Sequence, residues 1–492
     1  MKSVNEKIKG ISLFSGCGGL DLGFERYNPD GLLNNTKSKS SFEIIWANDI
    51  DETAVETYGK NFRAESYKDP NNISENKKRI FQGDVKEISF SKVFEEKNIE
   101  FILGGFPCQD FSVLRGRDKR KGIKVKRGKL YLEFVRALEE LQPKIFVAEN
   151  VKGIKSANDG AAFKQIKDDF QNLKQNWSEI KGEMEEENIS ANNLKSYNIL
   201  FADIVNFADF GVPQNRERLI IIGIREDVAE KISKNLNKIK EKIKNKLVKQ
   251  NFSPLTPIEM FEGKIINELD DYYESIMKEY ENIVKSVDSK RASEYRSEDW
   301  PEYTFNILKD YVNLNSISKT EITNKILKKH KNPLLEVGAY NNPINIEKRY
   351  EDGTNKDSNT SKNVIERMKR IPPGENHTFV KGTDYSVRGL MSNIYRRVHP
   401  LVPSPTIIAN GGGGTWGYHY KQNRQSLTNR ERARLQTFPD TFKFYGNKSD
   451  VRRQIGNSVP PVASKKIAGI VKEILEEVSL ESNTKEQIAN IV

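Results

Sequence analysis

Short apolar runs that stop at turns rich in glycine or polar residues are the feature that most narrows the fold. IKGISLF (8–14) leads into SGCGG, EIIWA (43–47) into the acidic NDID, and FILG (101–104) into GFPC. IFVA (145–148) ends at Glu-Asn-Val, and RLIIIGIR (218–225) adds one more run. Helical patterns fall between them, from about Glu52 to Asn61 and over 131–141. Strands alternating with helices predict a doubly wound α/β sheet. Such sheets bind ligands outside the carboxyl ends of their strands, so the turns are the places to search for chemistry.

After Arg225 the pattern changes. Residues 227–428 are rich in Lys, Asn and Glu, and carry two Gly/Pro-rich patches, IPPGENH (371–377) and ANGGGGTWGYHY (409–420). This segment reads as a second domain. A capped amphipathic helix is expected at 428–438, with Thr428 as N-cap and Glu431 three residues on, and a last apolar helix at 462–477. The expected division is a large domain of 1–226 completed by 451–492, and a smaller one of 227–450. The 154–196 insert, acidic over 164–187, has no functional reading, and no internal repeat is evident.

Composition removes several classes. Two cysteines, Cys17 and Cys108, exclude a disulfide scaffold, and with four histidines they leave little for a zinc site. The longest apolar runs fall well short of a membrane span, and the N-terminus lacks a secretory h-region; a cytoplasmic location is expected. The net charge of +11 favours a nucleic-acid partner. Its distribution says more. Residues 115–129 hold nine basic residues against one acid, with three glycines and no helical apolar spacing, so they read as a loop. Residues 228–250 hold eight lysines against two glutamates, and a solvated helix face is the plainer account of them.

Four constellations carry candidate chemistry, each with a bland counterpart. Phe14-Ser-Gly16-Cys17-Gly18-Gly19 can bring backbone close to a ligand, or be a tight turn; Asp21 occupies the place of the last glycine of a dinucleotide fingerprint. Asp49 and Asp51, at the end of the second run, suit ribose hydroxyls, and Asp84 follows Gly83 at another strand end. Together they fit an adenosine-bearing ligand such as S-adenosylmethionine. Cys108, in GGFPCQ, is a candidate nucleophile in a ligand-binding position, or inert packing. Glu149-Asn150-Val151 can be catalytic or a helix start, and Gln214–Arg218 catalytic or a salt-bridged turn.

These blocks resemble the DNA (cytosine-5)-methyltransferases. FSGCGGLDLGFE (14–25), ANDID (47–51), GDV (83–85), GGFPCQDFS (104–112), ENV (149–151), GVPQNRERLIIIG (211–223), RERARLQTFPD (430–440) and QIGNSVPP (454–461) occur in that family's order and span roughly half the chain. SPTIIANGGGGTWGYHY (404–420) is similar to the end of the family's target-recognition domain. The resemblance implies a Rossmann-like SAM-dependent methyltransferase domain with a second, smaller target-recognition domain. It implies a prokaryotic enzyme of the restriction–modification type, with double-stranded DNA as partner and no membrane, as a monomer, with a cognate restriction endonuclease in the same system.

The resemblance also implies roles. Cys108 would add to C6 of the cytosine, Glu149 would serve N3, Arg218 would hold O2, and Arg216 would support the nucleophile loop. S-adenosylmethionine, leaving as S-adenosylhomocysteine, would meet Phe14, Gly16, Gly18, Gly19, Leu20, Asp49, Ile50, Asp84, Val85, Pro107, Asn457 and Val459. Ile50 stands where the family often has an aromatic residue. No metal is implied. DNA would be met by Gln109, Ser112, Arg115, Lys119, Arg120, Lys124 and Lys126 of the basic loop, and by Thr406, around a base flipped out of the duplex. Two rivals remain. A transfer-RNA cytosine-5 methyltransferase shares the motifs, but the large 227–428 insert favours a reader of DNA sequence. A catalytically dead DNA-binding protein is opposed by the intact Cys108, Glu149 and Arg218.

Overall fold

The computed structural model describes residues 7–28, 31–35, 40–70, 78–94, 98–106, 130–184, 194–248, 255–265, 268–297, 330–347, 350–356, 360–388, 394–409, 417–421, 424 and 426–489. Eight strands form one sheet: β1 (Ile8–Leu13), β2 (Phe42–Asp49), β3 (Glu65–Tyr67), β4 (Arg79–Gln82), β5 (Phe101–Gly104), β6 (Ile145–Val151), β7 (Tyr197–Asn206) and β9 (Glu217–Arg225). Their order is β3-β4-β2-β1-β5-β6-β9-β7, with β9 antiparallel to both neighbours and every other pairing parallel. The order turns outward from β1 and β5, so the ends of β1, β2, β5 and β6 share one edge of the sheet.

The sheet is buried on both faces, as a largely parallel sheet requires. Alternation along β9 shows it: Leu219 and Ile221 face one core, and Ile220, Ile222 and Ile224 the other. Each such side chain contributes about 1.5–3 kcal/mol on burial. The first core includes residues of helices Tyr131–Leu141, Ala161–Gln171 and Leu173–Met184. The second includes residues of Gly19–Glu25, Glu226–Lys231, Leu236–Val248 and Pro461–Ala489. The acidic 164–187 segment is therefore, in its described part, covering for the sheet.

Helix Leu236–Val248 buries Ile239, Ile243 and Leu247 and turns its lysines outward, so the lysine-rich stretch is a solvated face. This helix and Glu226–Lys231 pack on the sheet although they lie in the 227–450 segment. A separate core joins Tyr280, Ile283, Val284, Met368, Ile371, Phe379 and Tyr418. A fourth joins residues 255–265, 334–339 and 427–455 to Val55, Tyr58 and Phe62 of helix Glu52–Phe62.

Several sequence expectations change. Glu149, Asn150 and Val151 continue β6 instead of starting a helix, because β9 pairs with all three. The helix expected at 428–438 runs over Asn429–Leu435, with the Thr428–Glu431 capping box in place. It is not amphipathic: every residue in it is buried, including Arg430, Arg432 and Arg434. Arg430 is satisfied by Asp352 (2.7 Å), Thr354 and carbonyl oxygens, and Arg434 by Asp440 and the Met260 carbonyl. Strands β3 and β7 are additions to the sequence pattern, while β4 ends just before Gly83-Asp84, where a strand end is expected. Gln214–Asn215 is a short strand, β8, paired with Ser404–Pro405, β10, not a salt-bridged turn. Among the described residues no helix is long and apolar enough to cross a membrane, and no cluster of three or more His, Cys, Asp or Glu could hold a metal.

Candidate active site

The glycine turn after β1 is held by the acid at the end of β2. The Gly16 N–H donates to Asp49 Oδ2 (2.7 Å), and the Asp51 N–H to Oδ1 (2.9 Å). Ser15 N–H donates to the Asn48 carbonyl (2.8 Å). Burial lifts the Asp49 carboxyl above its ordinary range, while these backbone donors pull it back. Each carboxylate oxygen retains a further lone pair for a ligand hydroxyl. Phe14 has φ +55°, a left-handed conformation that is an outlier for a bulky residue.

The three glycines do different work. A Cβ on Gly18 would lie 2.7 Å from Phe62 Cζ, and one on Gly19 would lie 2.5 Å from the Val459 carbonyl oxygen. Both are needed for packing. Gly16, at φ +55°, has no described residue within 4 Å of its Cβ position. Ile50 beside it is 72% exposed, an apolar platform. S-adenosylmethionine fits this set: Asp49 suits the ribose hydroxyls, Ile50 the adenine face and Gly16 the close approach. Leu20, Val85 and Val459 are buried in the cores. Asp84 caps the next turn through the Lys86 N–H (3.1 Å), and Asn457 is exposed at the end of helix Lys448–Asn457.

The catalytic candidates lie two strands away. Arg218 Nε sits 3.0 Å from Glu149 Oε1. Burial pushes the Glu149 carboxyl up, and Arg218 and Arg216 pull it back; the net direction is up. Glu149 Oε2 is 3.2 Å from where a Cβ of Gly105 would stand, so the carboxyl faces the chain leaving β5. Asn150 Nδ2 donates to the Phe106 carbonyl (3.2 Å), which anchors that same segment. Arg216 is fully buried; its Nη1 and Nη2 donate to the carbonyls of Ile407 (3.2 Å) and Gly456 (3.1 Å). Its Nε has no acceptor among the described residues. Burial drives this guanidinium well below its ordinary range, and Arg218 adds to that.

A model of the C-5 cytosine-specific DNA methylase family matches residues 8–473. The chain belongs to that family. Two curated relatives run along nearly its whole length. The DNA (cytosine-5-)-methyltransferase M.ApeKI of Aeropyrum pernix is 45% identical, covering 95% of this chain and 99% of its own. The type II methyltransferase M.NgoFVII of Neisseria gonorrhoeae is 32% identical, covering 99% and 93%. Among solved structures, a prophage-encoded DNA modification methyltransferase (E. coli) aligns with a TM-score of 0.52 at 22% identity, over 96% of this chain and all of that one. That likeness concerns the fold. Membership makes the enzyme a DNA (cytosine-5-)-methyltransferase and implies S-adenosylmethionine as its methyl donor.

In this methylase, Glu149, Arg216 and Arg218 come together, and so do Gly16, Asp49 and Ile50. Thr406 follows β10 and donates through Oγ1 to the Asn215 carbonyl (2.7 Å), which joins the segment after β10 to the Gln-Asn-Arg-Glu-Arg block. Pro107, Cys108, Gln109, Ser112, Arg115, Lys119, Arg120, Lys124 and Lys126 lie outside the described residues. Cys17 is buried, 3.1 Å from Ser458 Oγ, and burial pushes its thiol up to about 12.

Sequence reasoning missed the braces. Asp51 caps helix Glu52–Phe62 and pairs with Arg453 (2.8 Å). Gln454 accepts from Thr57 Oγ1 (2.7 Å). Helix Lys448–Asn457 thus ties the turn after β2 and helix Glu52–Phe62 to Arg216. Polar residues one turn apart, Arg453–Gln454 and Asn457, were the available signal.

Proposed function

We propose that this methylase transfers a methyl group to C5 of a cytosine flipped out of duplex DNA, through a covalent adduct between Cys108 and C6. The observation that carries the reading is the Glu149–Arg218 pair facing Gly105 at the end of β5. Cys108 follows Gly105 by three residues, a tether of at most about 11 Å.

S-adenosylmethionine, when bound, supplies an electrophilic methyl group. The chain supplies the rest. The Cys108 thiolate adds at C6, which breaks the aromaticity and leaves C5 nucleophilic. Negative charge moves toward N3 and O2. Glu149, held toward its protonated form by burial, gives N3 a proton or hydrogen bond. Arg218 holds O2, and both arginines favour the thiolate. C5 then takes the methyl group, its proton leaves, and the C6–sulfur bond breaks to release Cys108. Arg216, with Nε open, supports the segment that carries the nucleophile.

In this reading the part of 227–450 gathered around Tyr280, Met368 and Phe379 is the target-recognition domain, and the 115–129 loop grips phosphates. The relative named a type II methyltransferase supports a restriction–modification setting; a cytoplasmic monomer acting beside a cognate endonuclease completes this reading. Bisulfite sequencing of DNA from a host expressing the chain identifies the target cytosine. A duplex carrying 5-fluorocytosine there should trap an adduct with Cys108, since fluorine blocks the elimination. No adduct from wild-type protein with cofactor would overturn the covalent route.

A further inference from the structure

Two fully buried glutamines stand between the arginine block and the glycine turn after β1. Gln214 opens β8, two residues before Arg216, and Gln436 caps the C-terminus of helix Asn429–Leu435. The Ile407 N–H donates to Gln214 Oε1 (2.8 Å), and Gln214 Nε2 donates to Gln436 Oε1 (2.8 Å). Gln436 Nε2 in turn donates to the carbonyls of Ile455 (2.7 Å) and Ser458 (3.1 Å). Gln214 Nε2 also donates to the Leu435 carbonyl (3.4 Å).

The direction of this chain of amides is fixed by backbone at both ends. Ile407 offers a hydrogen through its N–H, while Ile455 and Ser458 offer carbonyl oxygens, so neither amide can be turned over. Each NH2 group uses both of its hydrogens. A change in either side chain leaves buried donors or acceptors unmade, and networks satisfied this fully specify one arrangement.

Arg216 makes a second bridge between the same two places, through the carbonyls of Ile407 and Gly456. Ile407 is thus held on its N–H by Gln214 and on its C=O by Arg216. Thr406, before it, is held by the Asn215 carbonyl. The far end of both bridges is the chain from Ile455 to Ser458, which with Val459 packs on the glycine turn. A Cβ on Gly19 would lie 2.8 Å from Ser458 Cβ, and Cys17 Sγ is 3.1 Å from Ser458 Oγ. Capping two helix ends is reason enough to bury these amides, and that role alone would affect only stability. Their course beside Arg216 gives them a further consequence.

We propose that Gln214 and Gln436 are positioning residues for methyl transfer: their amide bridge sets the spacing between the arginines that hold the cytosine and the glycine turn that meets the methyl donor. The inference rests on the reading in which Arg216 and Arg218 serve the base and the Gly16 turn serves the donor. Transfer needs the reacting atoms about 3–3.5 Å apart, and a misplacement of about 1 Å costs about 10²-fold in rate. Neither amide touches a reactant in this reading, so the donor site by itself should survive the loss of the bridge.

The test uses the full-length protein and the duplex that wild type methylates. Gln214→Met and Gln436→Met keep the length of the side chain and remove the bridge. Each should slow single-turnover methyl transfer by about 10²-fold, while S-adenosylhomocysteine affinity stays at the wild-type value. The double variant should be no slower than either single one, since all three lack the same bridge. Gln214→Glu separates positioning from packing. The introduced carboxyl, when protonated, donates to Gln436 Oε1 as the amide does; ionised, it sets two acceptors face to face. Its rate relative to wild type should therefore fall as pH rises through the ionisation of that buried carboxyl, and recover on acidification, with S-adenosylhomocysteine affinity constant throughout. Wild-type rates in the methionine variants, a Gln214→Glu ratio independent of pH, or a loss of S-adenosylhomocysteine affinity in step with the rate each overturns the inference. If a methionine variant does not fold, the Gln214→Glu profile decides alone. If wild-type protein transfers no methyl group to duplex DNA, the proposed function fails instead.

Discussion

Gly16 and Gly18 occupy the same turn with the same left-handed backbone, yet their replacement by alanine should fail in different ways. At Gly16→Ala the left-handed conformation costs about 1–2 kcal/mol, partly offset by about 0.4–1 kcal/mol from the stiffer unfolded chain. With no described residue within 4 Å of the new methyl, the net loss of stability is about 1 kcal/mol. Gly18→Ala has the same backbone cost, and its methyl also meets Phe62 and Tyr58, the latter at 3.0 Å from Cδ2. Overpacking of this kind adds about 1–3 kcal/mol. Binding should show the reverse order of interest. If the cofactor lies against this turn, as Asp49's hold on the Gly16 N–H suggests, the Gly16 methyl meets it, so S-adenosylhomocysteine should bind at least tenfold more weakly, about 1.4 kcal/mol or more. Thermal unfolding without ligand and titration calorimetry with S-adenosylhomocysteine separate the two effects. Wild-type affinity in Gly16→Ala would show that the cofactor does not lie against this turn.

Other expectations follow from the same geometry. Glu149→Gln removes the proton donor while keeping the shape, and methyl transfer should fall about 10²–10⁴-fold; single-turnover assays read this, and a fall below tenfold contradicts the assignment. Asp21 is fully buried, and burial lifts its carboxyl to about 6 from an ordinary value of 3.8. The folded state therefore holds a proton that the unfolded state releases first, so this group's contribution favours the folded state at low pH. As pH rises from about 4 to about 6 it should withdraw about 3 kcal/mol. Asp21→Asn should flatten stability across that window, measured by unfolding at several pH values; an unaltered profile counts against it. Maleimide at neutral pH should label one thiol quickly, because burial keeps Cys17 protonated. Cys108→Ser should abolish that reaction, and fast labelling of Cys17 would contradict its burial. Neutralising Lys119, Arg120, Lys124 and Lys126 should reduce the salt slope of DNA affinity by up to about one per lost phosphate contact, and an unchanged slope removes the loop from the DNA interface.

The sequence determined most of what depends on local pattern. Apolar runs bounded by glycine and acid gave β1, β2, β5, β6 and β9, because a strand buried on both faces must be apolar along its length. The Gly16 turn, Asp49 and Glu149 were legible because side chains at strand ends are released from packing and free for chemistry. The Thr428–Glu431 capping box was legible because its two residues lie three apart. The tertiary structure decided what depends on contacts between distant residues. It showed that Gly18 and Gly19 are packing glycines, since that depends on Phe62 and Val459, while Gly16 has no described residue within 4 Å of its Cβ position. It assigned Asp51 to Arg453, 402 residues away. It buried the three arginines of helix Asn429–Leu435, which a helical pattern places on a solvated face; for Arg430 and Arg434 the partners include Asp352 and the Met260 carbonyl, brought up from distant segments. A local pattern reports which groups a segment offers; only the folded chain brings up the partners that make burying them affordable.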